Sequence, residues 1–246
     1  MSHENIEKEL SLVKKLNNVN SSVLKIENLT LAYNNKKILD DINLSMKKGD
    51  VVTVLGPNGG GKTSLVKVVA GINKNYTGNI IFADDMRISY MPQNFSISSL
   101  MPITVEYLLL NSFSKRLEKN QSIITEVVRL VGISNILKRQ VLEISAGQTQ
   151  LLLLARCLIA EPDLIILDEP VSAMDINAQT KFYNIIGEIA KKRLISILMT
   201  SHDLSSIVPC SDYIIYINHI IYYQGKPEEI MKNKTLSEIF GSHITK

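Results

Sequence analysis

The segment Gly56-Pro57-Asn58-Gly59-Gly60-Gly61-Lys62-Thr63 has the residue types and spacing that hold a phosphate chain. Glycines let successive backbone N–H groups turn inward onto phosphate oxygens, and a helix that starts there points its positive end at the same anion. Lys62 is placed to reach the β- and γ-phosphates of ATP and the Thr63 hydroxyl to ligate Mg²⁺, with Ser64 beside them at the helix start. The chain also carries Asp168-Glu169 and His202 after long apolar runs, and Gln93 after a shorter one. Transfer of a phosphoryl group to water needs phosphate positioning, a metal ion, an oriented nucleophile and stabilised charge. Asp168 would hold Mg²⁺ through its water shell, and Glu169 would polarise the attacking water as general base. Gln93 would complete the Mg²⁺ shell and sense the γ-phosphate, while His202 would hydrogen-bond that phosphate and fix the water. Tyr33, ahead of the glycine-rich turn, has two readings: a ring stacked on adenine, or an ordinary tyrosine at a strand end.

These residues need a sheet to bring them together. Val51 to Leu55 is a short apolar run, and Ser64 to Ala70 has helical composition with Gly71 to close it, so the glycine-rich turn joins a strand to a helix. Before it, alternation at Leu24, Ile26, Leu29 and Leu31, then Ile38 to Met46 after a turn at 34–37, reads as two strands. Residues 78–82 and 87–90 read as further short strands. From about 95 to 160 the character is helical, with periodic stretches at 104–112, 122–131 and 145–160, and looks like an insertion between strands of the core. The continuous apolar run from Leu164 to Leu167 suits a parallel strand buried on both faces, with its carboxylates at the strand end where ligands bind in open α/β sheets. A helix over 177–191, a buried strand over 194–200 and a hairpin over 213–223 turning at Asn218-His219 follow; His219 reads as a turn residue. Lys226-Pro227-Glu228-Glu229 opens a terminal helix. Residues 1–22 are polar and rich in Asn and Ser, and read as a mobile arm. The expected fold is α/β: a P-loop NTPase core of mostly parallel sheet, with an N-terminal antiparallel β subdomain and an inserted helical subdomain.

Composition narrows the function classes. The 246 residues, 45% apolar and 21% charged, suffice for a sizeable core. A net charge of +3 and the absence of a basic stripe interleaved with aromatics give no footprint for nucleic acid. The two cysteines, Cys157 and Cys210, are 53 positions apart, and the four histidines lack ligand spacing, which disfavours both a disulfide scaffold and a structural zinc site. The acidic, polar amino terminus is not a signal peptide, and the longest apolar run is interrupted by Arg156, so the chain is expected to be soluble and cytosolic.

Taken together, these motifs resemble the ATPase subunits of ABC transporters. The resemblance spans about residues 23 to 240: Tyr33, the P-loop at 56–63, Gln93, Asp168-Glu169 at the end of 164–169, Ser172-Ala173-Met174-Asp175, and His202. It implies one ABC ATPase domain over 23–246 and a head-to-tail homodimer holding two ATP molecules. In such a dimer each nucleotide lies between one P-loop and Ser145, Gly147 and Gln148 of the other copy, with Asp175 at the interface. The family's LSGGQ signature departs here to Ile144-Ser145-Ala146-Gly147-Gln148, and the arginine common shortly after it is Leu151. Ser145 as helix N-cap would leave Ala146 in ordinary helical geometry, so its methyl group would matter only by crowding phosphate and slowing hydrolysis modestly. Tyr90-Met91-Pro92-Gln93, Leu100-Met101-Pro102-Ile103-Thr104-Val105, Ser201-His202-Asp203-Leu204 and Gly225-Lys226-Pro227-Glu228 are similar to zinc-uptake ATPases. That resemblance implies an integral-membrane permease docked near 96–105, an extracytoplasmic metal-binding protein, no nucleic-acid partner, and a peripheral place on the cytoplasmic face of the membrane. Manganese or iron importer ATPases and ABC ATPases outside transport are the alternatives. The latter usually carry a long coiled-coil insertion or two cassettes, and this chain has neither.

Overall fold

Alternating apolar and polar residues in 22–47 produce two long strands that each bury one face, β1 (Ser22–Tyr33) and β2 (Lys36–Lys47). The computed structural model describes residues 22–34, 36–95, 102–111 and 117–232. The arm expected over 1–22 lies outside these, apart from Ser22, which already pairs with Lys47. After β3 (Val51–Leu55) and helix α1 (Lys62–Val69) come β4 (Thr77–Phe82) and β5 (Ile88–Met91). β4 joins β1 antiparallel, giving a three-stranded sheet of order β2-β1-β4.

Three helices follow: α2 (Val105–Leu110), α3 (Leu117–Val131) and α4 (Ala146–Ile159). Thr104, expected inside the first, is its N-cap and accepts a hydrogen bond from Tyr107 N, while Ser112 lies outside the described residues. Then come β6 (Leu164–Leu167), α5 (Ile176–Arg193), β7 (Ser196–Ser201), α6 (Leu204–Ile207), β8 (Tyr213–Asn218), β9 (Ile220–Gly225) and α7 (Pro227–Lys232). The strand expected from Leu194 starts two residues later, because Leu194 adopts a left-handed conformation (φ 53°) that ends α5.

The second sheet has the order β5-β6-β7-β3-β8-β9, parallel throughout except for β9. Its central strands β6, β7 and β3 are buried on both faces. In β3, Val51 and Leu55 face a core shared with α2 to α5, whereas Val52 and Val54 face a second core shared with α1, β1 and β2. In β6, Ile165 and Leu167 take the first side, Leu164 and Ile166 the second. That two-sided burial is why these runs carry no polar alternation. The helical block enters the chain between β5 and β6, which are neighbours in the sheet, and α4 packs back onto β5. No described helix is long and apolar enough to cross a membrane.

Candidate active site

The glycine-rich loop is fixed at both ends by close backbone approaches. Gly61 caps α1 at φ 99°, and a Cβ there would sit 2.8 Å from Ile38 O and 2.7 Å from Leu39 Cδ2. Within the loop Gly60 N donates to Pro57 O at 3.1 Å, and Gly60 O accepts from His219 N at 2.9 Å. His219 is a turn residue as expected (φ 65°), but it does more than turn the chain. Its carbonyl accepts from Asp40 N at 2.8 Å and its Nδ1 lies 3.1 Å from Ile38 O, so one residue ties the loop to β2. Asn58 and Gly59 form the exposed tip; Pro57, Thr63 and Ser64 are half-buried.

Lys62 is buried beneath this loop. Its Nζ donates to Gly56 O at 2.9 Å and Pro57 O at 3.0 Å, and lies 3.8 Å from Glu169 Oε1. Burial pulls the Lys62 ammonium below the usual lysine range, while the Glu169 and Asp168 carboxylates oppose that shift. The positive end of α1 and a desolvated lysine thus meet at one point, a ready site for polyphosphate.

Asp168 and Glu169 leave the end of β6 in opposite environments. Asp168 is 1% exposed. Its Oδ1 accepts from Thr63 Oγ1 at 2.9 Å and Thr200 Oγ1 at 3.0 Å, and its Oδ2 from the Tyr90 hydroxyl at 3.3 Å. A buried charge needs such partners. Burial and the adjoining Asp168 carboxylate push the Tyr90 phenol well above the ordinary tyrosine range, so it stays protonated and donates. Glu169 is partly open and left-handed (φ 46°); its N donates to Thr200 Oγ1 at 2.8 Å. Gln93 Nε2 donates to Glu169 Oε2 at 2.9 Å, and His202 Nδ1, on a side chain 61% exposed, lies 3.9 Å from the same oxygen.

Lys62, Thr63, Gln93, Asp168, Glu169 and His202 therefore converge, as expected, at the carboxyl ends of the adjacent strands β5, β6, β7 and β3. Other expected site residues engage partners outside this cluster. Tyr33 is 48% exposed, and its hydroxyl accepts from Asn73 Nδ2 beyond the far end of α1. Asp175 caps α5 by accepting from Ala178 N at 3.0 Å. Ser145 and Gln148 form a capping box at the start of α4, with Gln148 N on Ser145 Oγ at 3.3 Å and Ser145 N on Gln148 Oε1 at 3.0 Å. Gly147 lies against Met174 and Ala178. Leu151, standing where the family has arginine, packs on the core.

Two residues in the cluster, Thr200 and Tyr90, escaped the reading of the sequence. The available signal was a hydroxyl one residue before the end of each strand. Cation ligation fits the donors present: the Thr63 hydroxyl, the Asp168 carboxylate and the Gln93 amide are all oxygen ligands of the hard type Mg²⁺ prefers. Gln93 puts its nitrogen, not its oxygen, on Glu169.

Comparison with known proteins agrees with this geometry. The ABC transporter family model matches residues 39–172. The chain is 80% identical over 246 residues to the zinc import ATP-binding protein ZnuC of Wolbachia sp. subsp. Brugia malayi (strain TRS), and 76% identical over 246 residues to that of Wolbachia pipientis wMel, covering 100% of both sequences in each case. Among solved structures, a metal-chelate-type ABC transporter in an inward-facing conformation superposes with a TM-score of 0.79 at 26% identity, over 90% of each chain. The P-loop, the carboxylate pair beside it and these relatives lead to one assignment: the chain belongs to the ABC transporter family, as one of its ATP-binding subunits.

Proposed function

We propose that this chain hydrolyses ATP to drive a zinc importer, with Glu169 as the general base. The observation that carries the chemistry is the position of Glu169, its carboxylate within reach of Lys62, Gln93 and His202 at the mouth of the glycine-rich loop. The full-length identity to proteins named for zinc import supports the choice of metal. Manganese or iron would be carried by the same cassette chemistry, since the transported ion need not touch this subunit.

The residues divide the work. Backbone N–H groups of 58–61, Lys62, Thr63 and Ser64 hold the phosphates, with Gly56 and Pro57 shaping the loop, and Tyr33 offers a ring to the adenine. Thr63, Gln93 and Asp168 would hold Mg²⁺, which when bound neutralises phosphate charge. Glu169 accepts a proton from the attacking water, oriented by Gln93 on one of its oxygens, and His202 steadies that water and the γ-phosphate. Ser145, Gly147 and Gln148 are engaged within their own helix end, so closure over the γ-phosphate falls to those residues of a second copy, with Asp175 at the shared face. The working unit is thus a head-to-tail homodimer at the cytoplasmic face of the membrane, on an integral-membrane permease served by an extracytoplasmic metal-binding protein. In this scheme 23–246 is one ATPase unit whose helical insertion, about 95–160, bears the docking groove. Part of that groove, 96–101, lies outside the described residues.

Steady-state hydrolysis by the purified chain tests the chemistry. Glu169→Gln should lower kcat by about 100-fold or more while ATP still binds, the loss expected for a general base; unchanged turnover would remove Glu169 from that role. Zinc-limited growth after loss of the subunit tests the metal, and a defect relieved by manganese or iron but not zinc would reassign it.

A further inference from the structure

Among the described residues, Thr200 is the side chain that hydrogen-bonds to both Asp168 and Glu169. It is fully buried at the end of β7, and its single hydroxyl is used twice, donating to Asp168 Oδ1 at 3.0 Å and accepting from Glu169 N at 2.8 Å. The peptide it accepts from belongs to a residue held at φ 46°, a conformation that non-glycine residues adopt only when their surroundings impose it. Asp168 has two further hydroxyl donors, Thr63 and Tyr90, whereas Thr200 alone connects the carboxylate to the backbone that aims Glu169. Three of the other five residues of β7, Ile197 to Met199, are apolar, and the hydroxyl lies where β7 runs parallel beside β6.

We infer that Thr200 is a positioning residue that sets the direction from the metal-holding carboxylate to the general base. This inference rests on the hydrolytic reading above. Without the hydroxyl, Asp168 keeps its place through Thr63 and Tyr90, but the turn at Glu169 is released and the two carboxylates no longer hold a fixed relation. The side chain acts through its neighbours and has no contact of its own with phosphate.

The test compares Thr200→Val, which keeps the shape and removes both hydrogen bonds, with Thr200→Ser, which restores a hydroxyl. Thr200→Ala serves if the valine chain does not fold, because it places no methyl group against Asp168. Turnover is measured in the otherwise intact protein, and ATP binding with and without Mg²⁺ is measured in the Glu169→Gln background. Supporting residues of this kind change metal affinity or activity by about 10- to 100-fold. Thr200→Val should therefore lower kcat about 10-fold while the Mg²⁺ enhancement of ATP affinity, which depends on Asp168, stays within about twofold. Mg²⁺-free ATP affinity should stay within about twofold, and Thr200→Ser should recover most of the loss. Turnover equal to the parent would overturn the inference, as would a fall in Mg²⁺-free binding that matches the fall in kcat, or a serine variant as impaired as valine. A parent chain that does not hydrolyse ATP would instead overturn the hydrolytic reading itself.

Discussion

Ala146 is a residue at which the signature of this chain departs from the family's LSGGQ. It is the first helical residue of α4, directly after the Ser145 cap, and it is exposed. Ordinary helical geometry there means that alanine creates no strain, so in the proposed dimer any effect on hydrolysis would come from its methyl group crowding the phosphate of the partner site. Two opposite consequences follow for Ala146→Gly. Stability should fall by about 0.5–1 kcal/mol, since glycine loses more backbone freedom in a helix, which corresponds to a Tm lower by roughly 2–4 °C in a chain of this size. Turnover should nevertheless rise about twofold, because the backbone N–H groups of the helix start come closer to developing charge. A variant that is both less stable and faster separates crowding at the site from a role in folding; equal or slower turnover would show that the methyl group is innocent.

At the scale of elements, the strand–loop–helix of 51–69 is held by contacts that local sequence does not record. Gly59 and Gly61 both have positive φ, 80° and 99°, yet a Cβ at Gly59 meets nothing within 4 Å while one at Gly61 strikes β2. Gly59→Ala should cost about 1 kcal/mol of backbone strain alone. Gly61→Ala adds the collision with Ile38 and should cost about 2 kcal/mol or more, a Tm drop of roughly 4–8 °C, readable by thermal denaturation without nucleotide. Equal losses would mean that β2 does not press on the loop. The glycine pattern made the turn legible, the mostly apolar runs marked β3, β6 and β7, and the helical period from 145 with Ser145 as N-cap marked the start of α4. What stayed hidden was adjacency. The roles of Thr200 and Tyr90 depend on β5, β6 and β7 lying side by side, although β5 and β6 are separated in sequence by the whole helical block. His219 likewise touches the P-loop only because β8 lies next to β3 and carries the chain back to it. Strand order is a property of packing, and periodicity within one strand says nothing of its neighbours.

At the scale of the whole molecule, the proposed head-to-tail dimer has one chain supply both halves of a site but not to itself. The phosphate cradle, the carboxylate pair, Gln93 and His202 gather at the ends of four adjacent strands, whereas Ser145 and Gln148 satisfy each other at the start of α4 and Gly147 rests on Met174 and Ala178. A head-to-tail pair of chains completes two sites at once by a two-fold operation, and such closed pairs are the commonest oligomers. The arrangement can be tested by complementation. Lys62→Ala removes the phosphate-binding ammonium; Gly147→Asp brings a negative charge to the signature, beside Met174 and Ala178 at ordinary contact distance, where it repels the partner's nucleotide, while an acid in the first turn still suits the helix dipole. Either variant alone should be inactive. Mixed in equal amounts under exchange, half of the dimers pair one of each, and one of their two sites then joins an unaltered P-loop to an unaltered signature. Turnover should return to roughly one quarter of the parent value per chain if each of the two equivalent sites works on its own. Sites completed within one chain would give no recovery on mixing, and that result would dissolve the head-to-tail dimer as the catalytic unit.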